Sequence, residues 1–274
     1  MPIRTFTLFH LSLVPIRQPN FQTQTDLSRE DWIRAVLSER FIFPYRGGDM
    51  LYWVPLFSDK TIIVGIIEKS LERLQHLSPD MGGLEIKRQE WQGAYVIIDP
   101  THHEDGQKMA VENDIVGTPH SLSAYLAKYI NSRIDRPFEF EPNEIFDSND
   151  YLEFIVSNGP QLKYIKFHFV IPNMWNSKGK LDKGLRETGI ETGTEEVDLT
   201  FKSRRGLDGD SDRVLEGVDY AANGAGSVRA KAINGQKFNS FQRPTTSQIL
   251  TEEDIVESPE SWVYRNLAKI LGRE

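Results

Sequence analysis

A chain of 274 residues with 39% hydrophobic residues can bury one large core or two smaller ones; its length favours one to two domains, and two are expected. It contains no cysteine, which excludes a disulfide framework, a thiolate zinc site and a cysteine nucleophile, and fits a reducing, cytoplasmic setting. The net charge of −8 argues against a generally basic protein that coats nucleic acid, so such a partner would need a local basic face.

The stretch from Ile3 to Val14 is rich in Phe, Leu and Thr and alternates in character, which suits a strand with one face on a core. Polar Thr5, Thr7, His10 and Ser12 break the apolar run that a secretory signal needs. No window of the chain approaches 18 uninterrupted apolar residues, so no membrane insertion is expected. Ser28 with Asp31 forms a capping signal, and Trp32, Ile33, Val36 and Leu37 recur at helical spacing, predicting a helix from Arg29 to Ser38. A strand follows at Phe41 to Tyr45. Leu51 to Phe57 and Thr61 to Ile67, separated by Ser58-Asp59-Lys60, read as a hairpin, with Pro55 placing the first run at a sheet edge. Glu68 to Leu77 carries Leu71, Leu74 and Leu77 on one helical face and predicts a helix stopped by Pro79 and Gly82-Gly83. Leu84 to Trp91, Ala94 to Asp99 and Gln107 to Asn113 predict a three-stranded meander.

After Gly117, the stripe of Leu122, Tyr125, Leu126, Tyr129 and Ile130 predicts the clearest helix of the chain, capped by Thr118 with Pro119 in its first turn. Pro137 to Glu141 returns as a strand, and Asn143 to Val156 holds a short helix. Asn158-Gly159-Pro160 is the expected boundary between an α+β domain over residues 1–158 and a second over 159–274. The second half predicts strands at Lys163 to Ile171, Val197 to Lys202 and Ser227 to Ile233, and helices at Gly179 to Thr188 and Ser211 to Ala221. A capped amphipathic helix from Ser258-Pro259 through Leu271 closes the chain. The expected class is α+β, with mostly antiparallel sheets and flanking helices.

Asp80 followed by Glu85-Ile86-Lys87 has the letters of a metal-dependent nuclease, in which two carboxylates hold magnesium and a lysine assists the attacking water. The gap is short for such a fold, and a solvated strand face explains the same letters. Asp208, Asp210 and Asp212, with Asp219 in the twelfth position, have the rhythm of a calcium loop. Arg213 stands where such a loop requires Gly, however, and the final Glu is missing; an acidic cap on a helix near Ser211 accounts for the same residues. His102, His103, Glu104 and Asp105 are metal-ligand types at an expected hairpin tip, a place too solvated for a preorganised site. His120 and His168 have no partner that sequence identifies. Asn223-Gly224-Ala225-Gly226-Ser227 could offer backbone N–H groups to an anion, but it lacks the Walker lysine and the strand-to-helix order. No catalytic residue, metal ligand or cofactor follows from these patterns.

The stronger signal is a charge imbalance. Between Pro160 and Gly206 nine basic residues stand against six acidic ones, in a chain that is acidic as a whole. Lys163, Lys166, Lys202, Arg204 and Arg205 from this segment, with Arg229 and Lys231 alternating on the following strand, are candidate phosphate contacts of a nucleic-acid-binding patch. A plain solvated face is the alternative. A further reading is a protein-interaction surface anchored by aromatics around Tyr52, Trp53 and Trp175.

The run GAYVIIDPTHHEDGQKMAVENDIVGTPHSLSAYLAKYI, followed by RPFEFEPNEIF and LKYIKFHFVIPN, covers residues 93–173. In its order of elements, with Glu141-Pro142 ending a strand, it resembles the defence-associated proteins that include RexA of the phage lambda exclusion system and the KwaB component of Kiwa. The resemblance implies a non-enzymatic homodimer of two-domain chains that binds nucleic acid, DNA ahead of RNA, in exclusion or abortive-infection protection against phage. The protein-interaction reading instead predicts a stable complex with a neighbouring defence-system protein. The resemblance brings no catalytic motif, so no site residue is carried over.

Overall fold

The alternation that opens the chain is realised as a strand whose odd-numbered Phe9, Leu11 and Leu13 enter one core while Phe6 and Leu8 enter another on the opposite face. The structure, a computed structural model, describes residues 3–16, 27–76, 80, 85–103, 106–133, 136–171, 180–194, 196–250 and 258–273. In chain order the first elements are β1 (Ile3–Pro15), α1 (Arg29–Leu37), β2 (Phe41–Pro44), β3 (Met50–Ser58), β4 (Ile63–His76), β5 (Glu85–Asp99), β6 (Lys108–Glu112), α2 (Pro119–Asn131) and β7 (Phe138–Glu144). There follow α3 (Ser148–Asn158), β8 (Gln161–Val170), α4 (Lys180–Thr192), β9 (Glu196–Asp208), α5 (Asp212–Tyr220), β10 (Gly226–Ala232), β11 (Lys237–Asn239), β12 (Thr246–Leu250) and α6 (Pro259–Ile270). The class is α+β.

Eight strands form one antiparallel sheet in the order β12-β1-β6-β5-β4-β3-β2, with β7 also paired to β1. Helices α1 and α2 cover one face, setting Trp32, Ile33, Leu122, Leu126 and Ile130 against Phe9, Leu11, Trp53 and Val96. On the other face α6 sets Trp262, Val263 and Ile270 against Phe6, Leu8, Val64 and Ile97. Side-chain oxygens of Ser28, Thr118 and Ser258 accept from the backbone N–H groups of Asp31, Ser121 and Ser261, caps worth about 1 kcal/mol each. Buried Lys108 reaches the far end of α6, where its ammonium donates to the carbonyls of Leu271 and Gly272 at 3.1 and 3.3 Å, against the negative pole of the helix.

Four strands form a second antiparallel sheet in the order β11-β10-β8-β9. Strand β8 alternates, sending Ile165, Phe167 and Phe169 inward while Lys166 and His168 point away. The inward set packs with Val228, Ala230 and Phe238 under Tyr151 and Phe154 of α3, Leu181 and Leu185 of α4, and Val214 and Val218 of α5. These helices lie on a single face of the sheet, so no described helix covers the face carrying Lys166 and His168, as antiparallel sheets allow. The chain then returns to the first sheet: β12 pairs with β1 and α6 packs on it.

Three local expectations are revised. The strand carrying Pro55 is not the last of the sheet, because β3 lies between β2 and β4, but β2 pairs with it only as far as Trp53, so β3 is a local edge at Pro55, where its register with β4 also slips before Phe57. The segment after Ile67 is no helix: β4 continues to His76, paired residue for residue with β5 from Ile63 opposite Ile98 to His76 opposite Glu85. Leu77, Pro79 and Gly82-Gly83, the rest of that expectation, lie outside the described residues. The two strands expected on either side of Gly93 are the single strand β5. A Cβ at Gly93 would sit 2.4 Å from Cγ2 of Ile66, so the glycine permits close packing rather than a turn.

Candidate nucleic-acid interface

Strand periodicity decides which side chains reach the open face of the second sheet, and register decides which of them meet. One row crosses all four strands: Lys237 on β11 opposes Lys231 on β10, which opposes Tyr164 on β8, which opposes Lys202 on β9. At about 4.8 Å between strands this row is roughly 14 Å long. The next row is Asn239, Arg229, Lys166 and Thr200, and the third is Ser227, His168 and Asp198. Two lysines directly opposite one another, Lys231 and Lys237, repel and cost stability.

The acidic side of this face is already engaged. Asp198 accepts from Lys166 Nζ at 2.8 Å and from His168 Nδ1 at 3.0 Å. The hydrogen bond from Lys166, then that from His168, holds its carboxyl below the usual carboxylate range. Among the described residues no carboxylate pairs with Lys202, Arg229, Lys231 or Lys237. The Arg229 guanidinium lies over the ring of Phe241, 5.7 Å from its centroid, and His120 meets the same ring edge-on at 5.6 Å. His120 Nδ1 is 3.0 Å from Glu144 Oε1, and this hydrogen bond raises the imidazole pKa against the opposing effect of burial. Lys166, His168, Asp198, Ser227, Arg229 and Phe241 line a pocket of about 290 Å³ at this end of the face.

Of the seven predicted contacts, the fold brings Lys166, Lys202, Arg229 and Lys231 into adjoining rows. Lys163, Arg204 and Arg205 are exposed too, but they fall in the register irregularity between Leu162 and Tyr164, outside the paired rows. Sequence reasoning missed Lys237, Tyr164, Asp198, Phe241 and the role of His168. The Asn234-Gly235 pair before β11 was a usable hairpin signal for Lys237. The others become visible only when strands are placed side by side.

The remaining constellations resolve into structural roles. Glu85 and Lys87 begin the exposed outer half of the β4–β5 hairpin, where Lys87 Nζ lies 3.4 Å from Glu72; Asp80 is exposed. Among the described residues no three His, Asp or Glu side chains are grouped to hold a metal ion. Asp208 shares a hydrogen bond with Asp210 that raises its pKa, and Asp219, the expected twelfth ligand, is on α5 rather than in a loop. His103 Nε2 is 2.9 Å from the buried carboxylate of Asp99, which also receives Thr101 and Arg273, tying the end of β5 to the residues after α6. Glu104 and Asp105 lie outside the described residues. The glycine-rich turn serves close approach: a Cβ at Gly224 would strike His10 and one at Gly226 would lie 1.9 Å from the carbonyl oxygen of His168.

Ser227, His168 and Asp198 share a row, but they do not form a nucleophile and base. His168 turns Nδ1 to Asp198 and Nε2 toward Glu196 at 4.0 Å, so both ring nitrogens face β9, and Ser227 stands on the opposite neighbour. The aromatic anchors are also revised. Trp53 is fully buried, its Nε1 donating to the Leu37 carbonyl at 2.9 Å, while Tyr52 stands edge-on to Trp91, 5.0 Å between centroids. Trp175 lies outside the described residues.

No described helix is long and apolar enough to cross a membrane. No protein-family model matches the chain, and no curated protein or solved structure shows a significant similarity to it.

Proposed function

We propose that this chain is a component of an exclusion or abortive-infection defence against phage that acts by binding nucleic acid, DNA ahead of RNA, on the open face of its second sheet. The observation that carries the reading is the row Lys237, Lys231, Tyr164 and Lys202. It sets three cations and an aromatic ring in a line on a sheet face that no described helix covers in an acidic protein, at the cost of direct lysine–lysine opposition. Phosphates relieve that repulsion, and a line of this kind tracks a backbone without reading its bases. The resemblance over residues 93–173 supplies the defence context, and with it a cytoplasmic homodimer. Titration of labelled DNA against salt tests the reading: binding that weakens steeply as salt rises supports it, and salt-independent binding or none removes it.

One observation favours a second reading as a protein-interaction subunit, in complex with a neighbouring defence-system protein. Ile42 and Trp91 are about half exposed beside Tyr52, where an apolar pocket of about 650 Å³ opens at the β2 edge of the large sheet. A Trp91→Ala variant that loses a stable assembly while keeping nucleic-acid affinity would assign that surface to a protein partner.

A further inference from the structure

The pocket at the end of the basic face differs in kind from the rows beside it. The row of Lys237, Lys231, Tyr164 and Lys202 runs along the sheet surface, whereas the pocket is concave and has Phe241 as an aromatic wall. Phe241 stands on the turn after β11, 39% exposed, with the Arg229 guanidinium over its ring and His120 against its edge. The ring contact of Arg229 holds it toward the pocket, and among the described residues it has no carboxylate partner. Lys166 and His168 are oriented by Asp198, whose carboxylate also lines the pocket, and buried Ser227 adds a hydroxyl to the lining. A preorganised guanidinium and ammonium beside a π-face is the combination that recognises a phosphate together with an unstacked base. The volume of about 290 Å³ suits one small ligand and is closed to a base pair, whose bases are stacked and buried within the duplex.

We propose that this pocket receives a single unpaired nucleotide of a bound strand, its phosphate between Arg229 and Lys166 and its base against Phe241. The inference rests on reading the open face as a nucleic-acid surface and adds a preference for single-stranded segments. The rows serve either kind of strand, and the pocket discriminates between them.

The test is fluorescence anisotropy with one labelled oligonucleotide, single-stranded or annealed to its complement in a blunt duplex, against the unmodified protein and the variants Phe241→Leu and Phe241→Trp. Leucine keeps apolar bulk without a π-face, and tryptophan keeps the face, so a change common to both reports packing rather than stacking. The expected result is about a tenfold loss of single-strand affinity for Phe241→Leu, recovery in Phe241→Trp, and duplex affinity altered less than about twofold in both. Equal losses on both probes, or no loss on either while binding persists, overturns the pocket and leaves the basic face standing. Absence of binding to either probe by the unmodified protein overturns the face and the pocket together.

Discussion

Replacing Lys202 and Lys231 together by glutamine removes two of the four cations on the open face that have no described carboxylate partner, the others being Lys237 and Arg229. Each phosphate contact contributes about 0.9 to the slope of log affinity against log salt on duplex DNA, so four contacts give a slope of about −3.6 and the double variant about −1.8. Between about 50 and 200 mM salt the unmodified protein therefore loses affinity about 150-fold and the variant only about 12-fold. The same change removes the repulsion between Lys231 and Lys237, so thermal stability should hold or rise, separating lost binding from lost folding. Anisotropy titrations at four or more salt concentrations give the slopes. An unchanged slope in a folded double variant would refute the assignment of these lysines to phosphate.

Trp53→Ala should cost about 3–5 kcal/mol, read as a fall in Tm, because the indole is fully buried and packs so closely on β4 that a Cβ at Gly65 would lie 2.4 Å from its ring. The pair of His120 and Glu144 should stabilise the fold most at mildly acidic pH. Its hydrogen bond raises the imidazole pKa, so the contribution is complete below the free value of about 6.5 and fades as pH rises through the raised one. The Tm difference between the unmodified protein and Glu144→Gln should accordingly shrink from pH 6 to pH 9, by a small amount because His120 is more than half exposed. Asp59 should act in the opposite range. Its slight burial, which alone would raise the pKa, is outweighed by hydrogen bonds from Tyr264 and from Ile62 and Thr61, which bring it down to about 2. Stability from this anchor between α6 and the β3–β4 turn is present above about pH 4 and lost as pH falls toward 2, and Asp59→Ala should abolish that component of an acid-denaturation curve.

Much of the fold was legible because local signals and tertiary packing agree. Ser28, Thr118 and Ser258 cap the helices their spacing announced, and β8 alternates as its sequence does. The reading failed where a distant partner outweighed local pattern. Leu71 and Leu74 sit at helical spacing, yet the matching strand β5 extends the ladder through them. Strand β12 is a short polar segment recruited by β1 from the other end of the chain, with nothing local to announce it. The site divides the same way. Arg229 with Lys231 was legible as an alternating pair, since period two depends on one strand alone, whereas His168 beside Lys166 was not singled out. The rows these residues join were not legible, because they depend on register, and register here is shifted by the irregularity at Lys163. Phe241 reaches the face from a turn, which carries no periodicity to read.

Nucleic-acid binding on this face is decided by titrating the purified protein against labelled duplex and single-stranded DNA at low and moderate salt, with magnesium present and each probe checked afterwards for cleavage. The expected result is binding to an intact probe that weakens by about two orders of magnitude as salt rises from about 50 to 200 mM. No binding at the lower salt concentration, or a probe degraded in a magnesium-dependent manner, would contradict it.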